Sequence, residues 1–450
     1  MNIELPNEIE EILNTLESAG YEAYVVGGCV RDSLMGKAPK DWDICTSALP
    51  EQTRAVFREY AVIDLGLNFG TLALVMQKSQ LEPVEITTFR IDGVYSDNRR
   101  PDSVAFSKSL ADDLSRRDFT INAMAYSKRT GIIDLFGGKE DLANKIVRCV
   151  GDPAKRFQED ALRIMRAMRF ASVLGFQIEK QTLMAMNDNR RLLERIAKER
   201  IANELNRMLL GTGVDEIFIG HKGIIAEIIP EIIPMFDFRQ NNPHHGYDVY
   251  THTVMSIACA KNDLTIRLTM LFHDIGKPMC YTESDEIGHF YGHPKISADM
   301  AKEILLRLKY DSNTIKTVTE LVLYHDIEMK PRSKNIKRLL GKIGETRLRQ
   351  LVEVQKADAM AQAEPFRNEK LEILSRIPDI VTEIIKQQQC FSLKDLAING
   401  SDLLKLGFTE GKEIGIMLNR LLDMVINELV ENSKESLSKA ASSILVNKDS

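Results

Sequence analysis

The chain has 450 residues, 44% of them hydrophobic and 28% charged, with a net charge of −6 and a pI near 5.9. That length exceeds one ordinary core and predicts two to four domains, while the acidic total excludes a uniformly basic nucleic-acid binder and leaves only a local basic patch. No apolar run approaches the roughly 18 residues of a membrane span, so no membrane partner is expected.

The N-terminus, MNIELPNEIEEILNTL, lacks a signal-peptide apolar region. The six cysteines are scattered without a C-x-x-C. Both observations suit a cytoplasmic protein and argue against zinc fingers and a disulfide framework. NEIEEILNTLESAG has helical periodicity and stops at Gly20. YEAYVVGG, FGTLALVM and LEPVEITTF read as strands. From about Phe157 onward the pattern is almost wholly helical, with breaks near 211–213, 239–248, 288–294, 330–333 and 398–401. The tail NSKESLSKAASSILVNKDS is polar enough to fray. The expected fold class is α+β: a small mixed β-sheet head over 1–150, a helical neck over 151–215, a helical body over 216–370 and a helical tail over 371–450.

The head carries GGCVRDSLMGKAPKDWDIC, Gly27 to Cys45. Asp41 and Asp43 are expected at the end of a strand, since Ile44 follows and residues i and i+2 share a face. Two carboxylates about 6–7 Å apart can share divalent cations. Mg²⁺ suits such a pair when phosphate oxygens complete its shell, and two ions can serve an in-line displacement. Glu85, between two apolar residues on a probable strand, offers a third carboxylate. Gly27 and Gly28 allow close backbone approach to a phosphate, and Arg31 adds a charge-assisted contact. The rival reading is a plain turn followed by a surface D-x-D; the order and spacing of the two features favour the catalytic one.

These residues carry a resemblance. GG…DxD…h[DE]h is similar to the polymerase-β-like nucleotidyltransferase superfamily. GGCVRDSLMGKAPKDWDI resembles the first motif of the class II tRNA nucleotidyltransferases and bacterial poly(A) polymerases. RRDFTINAMA (116–125) resembles their second motif, EDALRIMRAMRFA (159–171) their nucleotide-recognition motif, and ERIAKERIANEL (194–205) a later helical motif. The resemblance implies a head, neck, body and tail, with Mg²⁺ at the head. It also implies addition of CCA to the tRNA 3′ end from CTP and ATP without a nucleic-acid template.

The residues support that chemistry. Asp160, Arg163, Arg166 and Arg169 recur every three positions on an expected helix. An Asp accepts from an exocyclic amine and an Arg donates to ring nitrogen and carbonyl oxygen, so the pair can read C and A and reject U and G. The resemblance carries Asp160 and Arg163 over as base readers and Arg166 and Arg169 as nucleotide contacts. Ion pairing along a solvated helix is the rival account. Arg117 is expected at a phosphate or ribose, and Asp118 and Asn122 at the sugar or in the neck, against simple N-capping by Asp118 or Thr120. The polar segment TFRIDGVYSDNRRPDSVAF (88–106) reads as a mobile loop; CC-adding members of the family it resembles have a shortened loop here, so the resemblance implies full CCA addition. An A-adding enzyme or a poly(A) polymerase are the alternatives.

Farther on, His252, His273, Asp274 and Asp358 form a second constellation, with His293 and His325 as two further candidates. The set, centred on FHDIGKP, is similar to the HD phosphohydrolase superfamily. Imidazole with carboxylate suits Mn, Fe, Ni, Co or Zn. The resemblance implies phosphodiesterase or phosphatase chemistry; in a second reading this site is the enzyme and the head an inert RNA binder, and in a third the chain is a non-catalytic tRNA-binding protein, both disfavoured by the intact Asp41, Asp43, Asp160 and Arg163. Taken singly, each histidine has the rival role of a satisfied core residue. Lys277 could pair with a phosphate, and His244 and His245 touch substrate or form plain loop. The C-terminal glycine turn Gly411–Gly415 and the basic run 328–349 are candidate contacts for a tRNA backbone, and a monomer or homodimer is expected.

Overall fold

The computed structural model describes residues 3–66, 69–76, 82–93, 103–242, 246–364 and 366–446. Where the sequence pattern divides the chain into four segments, the contacts form two compact units, Met1–Pro230 and Glu231–Ser450.

The first unit opens with helix α1 (Asn7–Ser18), followed by β1 (Ala23–Val26), α2 (Gly28–Leu34), β2 (Asp43–Thr46), α3 (Pro50–Val56), β3 (Ala61–Gly66), β4 (Thr71–Val75) and β5 (Val84–Thr88). A hairpin of β6 (Arg90–Asp92) and β7 (Val104–Phe106), α4 (Leu110–Ser115), β8 (Met124–Ser127), β9 (Gly131–Asp134) and α5 (Gly138–Ala143) complete the head. Seven strands form one mixed sheet in the order β3-β4-β5-β2-β1-β8-β9. Only the β2–β5 pair is parallel. Strand alternation sorts side chains between two cores. Ala23, Val25 and Ile44 join Ile9, Ile12, Leu13 and Leu16 of α1 on one face. Tyr24, Val26 and Cys45 join Phe89, Leu110 and Leu114 on the other. The sheet is therefore covered on both faces, and Asp43, one step before Ile44, lies on the α4 side.

The segment expected as one loop over 88–106 is ordered at both ends: Arg90–Asp92 pairs with Val104–Phe106. Residues 94–102, at the centre of that expectation, fall outside the described residues.

Beyond the head come α6 (Pro153–Glu159), α7 (Leu162–Leu174), α8 (Lys180–Asn189), α9 (Lys198–Leu209), α10 (Val214–Gly220) and α11 (Lys222–Ile228), with β10 (Ile146–Val147) paired to β11 (Gln177–Ile178). EDALRIMRAMRF was expected to be one helix; it is broken. Asp160 is extended, φ −135° and ψ 102°, and ends α6. Its Oδ1 accepts the Leu162 N–H at 3.0 Å. Aspartate competes with the helix for backbone donors, which is why it caps here instead of continuing the turn.

The second unit is helical: α12 (Val249–Cys259), α13 (Leu264–Phe272), α14 (His293–Arg307), α15 (Ser312–Tyr324), α16 (Ser333–Met360, kinked at Gly344), α17 (Phe366–Lys386), α18 (Gly400–Lys405), α19 (Lys412–Ile426) and α20 (Lys434–Val446). A two-stranded hairpin, β12 (Thr282–Ser284) and β13 (Ile287–His289), precedes α14. The tail expected to fray forms α20, because Leu437 and Ala441 bury against Leu403, Phe408 and Leu421. Among the described residues, no helix is long and apolar enough to cross a membrane.

Candidate functional site

Three carboxylates gather at the N-terminal ends of the neighbouring strands β2 and β5. Asp43 is the first residue of β2, and Asp41 lies just before the strand rather than in it. Strand alternation thus places Asp43 but not Asp41. Glu85 stands directly beside Asp43 in the parallel register. Glu85 and Asp41 are exposed and Asp43 is half-buried. Burial pushes the Asp43 carboxyl up to about 6; the Arg117 guanidinium works against this, and the charges of Glu85 and Asp41 add to it. Anions crowded without enough positive charge are what a divalent cation relieves, so the donor set fits Mg²⁺.

Opposite them the chain turns at Gly27, φ 83° and ψ −128°, a region open to glycine. A Cβ on Gly27 would stand 3.1 Å from Arg117 Nη1. Arg117 is held by the fully buried Asp113, 3.1 Å away, which also binds Arg116 at 2.6 Å. Burial opposes the Asp113 charge, and the two guanidiniums beside it hold its carboxyl below the usual range.

From Gly27 a polar chain runs toward α7. Arg31 Nη1 donates to Asn122 Oδ1 at 2.6 Å, Asn122 Nδ2 to Asp118 Oδ1 at 3.1 Å, and Arg166 Nε to Asp118 Oδ2 at 2.8 Å. Burial alone would raise the Asp118 carboxyl; Arg166 and Asn122 bring it down to about 2. Arg31, Arg166 and Arg169 converge on the Phe170 ring at 5.1, 5.6 and 4.0 Å. The capping roles considered for Asp118 and Thr120 are not seen at the 3₁₀ turn Thr120–Asn122, whose start has no side-chain cap.

The side chains of Asp160 and Arg163 do not pair with each other; the two residues meet through the Arg163 N–H, which donates to the Asp160 carbonyl at 3.0 Å. Asp160 Oδ2 accepts from Arg200 Nη2 at 3.0 Å. Arg163 Nη1 donates to Glu159 Oε2 at 2.8 Å and its Nη2 to the Arg116 carbonyl at 3.0 Å. Arg169 faces Glu204, Nε to Oε2 3.1 Å. Asp113, Glu159, Arg200 and Glu204 were not singled out by sequence reasoning. For the last two a signal existed: they lie four apart in ERIAKERIANEL, one turn of the same helix face.

In the second unit five helices contribute to one buried cluster. His252 on α12, His273 and Asp274 at the end of α13, His293 at the start of α14, His325 at the end of α15 and Asp358 on α16 are all buried. His252 Nε2 is 2.9 Å from Asp358 Oδ1, and His273 Nε2 is 3.2 Å from Asp274 Oδ2. His293 and His325 Nε2 lie 3.4 and 3.6 Å from Asp274 Oδ1. Ligand atoms of His252, His273 and Asp274, and likewise of Asp274, His293 and His325, lie within 4.8 Å of one another. Nδ1 of His273, His293 and His325 each meets a backbone carbonyl, of Met270, Phe290 and Val322, at 2.7–2.8 Å. Those contacts anchor Nδ1 on the backbone and turn Nε2 inward, the orientation that metal-binding imidazoles use. Burial works against the Asp274 charge, and His273 and Lys277 outweigh it to hold the carboxyl well below its usual range. Lys370 and His252 do the same for Asp358. Lys277 thus meets Asp274, at 2.7 Å. His244 and His245 lie outside the described residues.

The basic run is less available than its count suggests. Lys330, Arg338, Arg347 and Arg349 face Glu328, Asp423, Glu320 and Glu345, and Lys337 is buried. Gly411 precedes α19, which is followed by α20 rather than ending the chain.

A mixed sheet with paired carboxylates at the ends of two neighbouring strands, a glycine turn and a guanidinium beside them defines a nucleotidyltransferase head. Profile comparison agrees: residues 23–148 match the Poly A polymerase head domain, 175–235 the probable RNA and SrmB-binding site of polymerase A, and 282–441 a putative tRNA nucleotidyltransferase domain 2. The chain is 34% identical to the CCA-adding enzyme of Lactobacillus helveticus, over 95% of this chain and 94% of that one. It is 32% identical to the CCA-adding enzyme of Pediococcus pentosaceus, over 98% and 99%. The fold is similar to that of the Bacillus stearothermophilus CCA-adding enzyme crystallised with CTP, with a TM-score of 0.70, 28% identity and 98% of each chain covered. It is also similar in fold to the Thermotoga maritima enzyme complexed with tRNA, with a TM-score of 0.59 and 19% identity over 98% of this chain and 96% of that one. The chain belongs to the CCA-adding enzyme family of tRNA nucleotidyltransferases.

Proposed function

We propose that this protein builds and repairs the 3′-terminal CCA of tRNA from CTP and ATP, with no nucleic-acid template. The observation that carries the reading is the register pairing of Asp43 with Glu85, with Asp41 beside them and Arg117 nearby. Asp41, Asp43 and Glu85 would hold Mg²⁺, which supplies charge neutralisation for the attacking and leaving oxygens. The tRNA 3′ hydroxyl gives its proton to water and its oxygen bonds to the α-phosphorus. The bond from that phosphorus to the bridging oxygen breaks, and pyrophosphate leaves with the electron pair. Arg117 and Arg31, backed by Asp113 and Asn122, orient the triphosphate. Asp118, Asn122 and Arg166 bind the nucleotide's sugar side, with Arg169 behind them. Asp160 accepts the amine of cytosine or adenine while Arg163 donates to the neighbouring ring nitrogen and carbonyl. The work is done by a soluble cytoplasmic protein, a monomer or homodimer.

A second observation favours a second activity. The inward Nε2 atoms and the carboxylates of Asp274 and Asp358 would hold a transition metal such as Mn, Ni, Co, Fe or Zn, which supplies an activated water for phosphoester hydrolysis. Lys277 and Lys370, each 2.7 Å from one of these carboxylates, keep Asp274 and Asp358 charged for that role.

Primer extension tests the first reading. The substrates are tRNA lacking CCA and tRNA ending in CC, each with CTP, ATP or both. Addition that stops at three nucleotides, with ATP alone extending only the CC substrate, is expected. Addition of one A without use of CTP would instead make it an A-adding enzyme, and long A tails a poly(A) polymerase. No extension, with Mn²⁺-dependent hydrolysis of a phosphodiester, would assign the chemistry to the histidine cluster and leave the head an RNA binder.

A further inference from the structure

The base-reading carboxylate does not stand alone. Asp160 sits in the break between α6 and α7, in extended backbone. Its two oxygens are both engaged: Oδ1 by the Leu162 N–H at 3.0 Å and Oδ2 by Arg200 Nη2 at 3.0 Å. Two bonds to different oxygens fix the plane of a carboxylate, and each oxygen keeps a second lone pair for another donor. Arg200 comes from α9, whose buried Ile201, Leu205 and Met208 anchor it and which packs along α7. One turn on, Glu204 of the same helix meets Arg169. The α9 face therefore presents one charge before the start of the recognition helix and the opposite charge at its middle.

Arg200 also has a buried Nη1 that completes no hydrogen bond among the described residues, although the side chain as a whole is 27% exposed. A desolvated donor without a partner is costly to maintain for packing alone. The cost is explained if the guanidinium is held for one task, keeping Oδ2 of Asp160 in place while the amine of an incoming base approaches.

We propose that Arg200 is a positioning residue for base selection: it holds Asp160 in the orientation that accepts an exocyclic amine, and so discriminates cytosine and adenine from uracil and guanine. The inference rests on the reading of Asp160 as a base reader. Uracil and guanine present a carbonyl where cytosine and adenine present an amine, and a fixed, charged carboxylate repels that oxygen. A carboxylate free to turn no longer does.

Arg200→Ala, Arg200→Lys and Asp160→Asn in the full chain test this by single-nucleotide extension of tRNA with CTP against UTP and ATP against GTP. In Arg200→Ala we expect KM for CTP and ATP to rise about tenfold, and the use of UTP relative to CTP to rise by about the same factor, as for loss of one charge-assisted hydrogen bond. The thermal midpoint should stay within about 2 °C of the parent, and Arg200→Lys should recover most of the discrimination. If Arg200→Ala does not fold, Arg200→Gln, which keeps an amide donor but no charge, carries the same test. Relaxed selection in Asp160→Asn with parental selection in Arg200→Ala would overturn the role of Arg200 alone. Parental selection in Asp160→Asn would overturn the reading beneath it.

Discussion

At the scale of single residues, two carboxyls carry opposite shifts. Asp43 is pushed up to about 6 by burial and by Glu85 and Asp41, against the pull of Arg117. Its proton and a Mg²⁺ ion compete for the same oxygens. At limiting Mg²⁺, primer extension should therefore fall steeply as pH drops below 6, approaching tenfold per unit, and raising Mg²⁺ should restore it. Extension rates over a pH and Mg²⁺ grid check this, and a profile insensitive to Mg²⁺ would contradict it. Asp43→Ala should abolish extension while gel-shift binding of tRNA persists. Asp118 shows the reverse shift, from 3.8 to about 2, because Arg166 and Asn122 outweigh burial. A depressed carboxyl stabilises the fold above its unfolded value and loses that contribution as pH falls toward its folded value. Asp118→Asn should cost about 2 kcal/mol at pH 7. The gap from the parent in urea unfolding should close between pH 4 and 2.

At the scale of elements, the site depends on how strands and turns end. The turn into α2 needs Gly27 on two counts, its φ of 83° and the nearness of Arg117. Gly27→Ala should cost about 1–3 kcal/mol and displace the Arg117 guanidinium, so KM for nucleotide should rise while tRNA binding holds. Denaturant unfolding and steady-state kinetics together check both halves. Much of this was legible beforehand: the α1 stripe, the strands around Val25, Leu74 and Ile86, and the GG and DxD spacing all follow from local periodicity. The break at Asp160 was not, because 159–171 is rich in helix formers and the capping bond that interrupts it is a matter of one side chain. Nor was α20, in which only Leu437 and Ala441 are fully buried, against Leu403 and Phe408.

At the scale of the whole molecule, the helical unit gathers its histidines and aspartates from five elements spread between His252 and Asp358. A cation bound only by the folded cluster stabilises that fold by mass action, about 2.7 kcal/mol at a hundred times its Kd. Mn²⁺ should raise hydrogen-exchange protection of α12 to α16 and leave the head strands β1 and β8 little changed at concentrations that saturate the cluster. His273→Ala should remove the effect. Protection unchanged by Mn²⁺, Ni²⁺, Co²⁺, Fe²⁺ and Zn²⁺ alike would speak against a metal there.

Local order in the chain is enough to identify the chemistry, because spacing such as Asp41-x-Asp43, the Gly27–Gly28 turn and the His273–Asp274 doublet is short-range and each motif carries its own stereochemistry. Pairing between distant residues is a different matter. Asp43 meets Glu85 through a parallel strand register, Asp160 meets Arg200 through helix packing, and Asp358 meets Lys370 across the turn from α16 to α17. Each partner is chosen by shape and burial among many like charges, which no periodicity encodes. The same holds for Lys337 in the basic run, which looked like a surface phosphate contact and is buried: charge is written in the sequence, but which charges are spent inside the protein is settled by the fold.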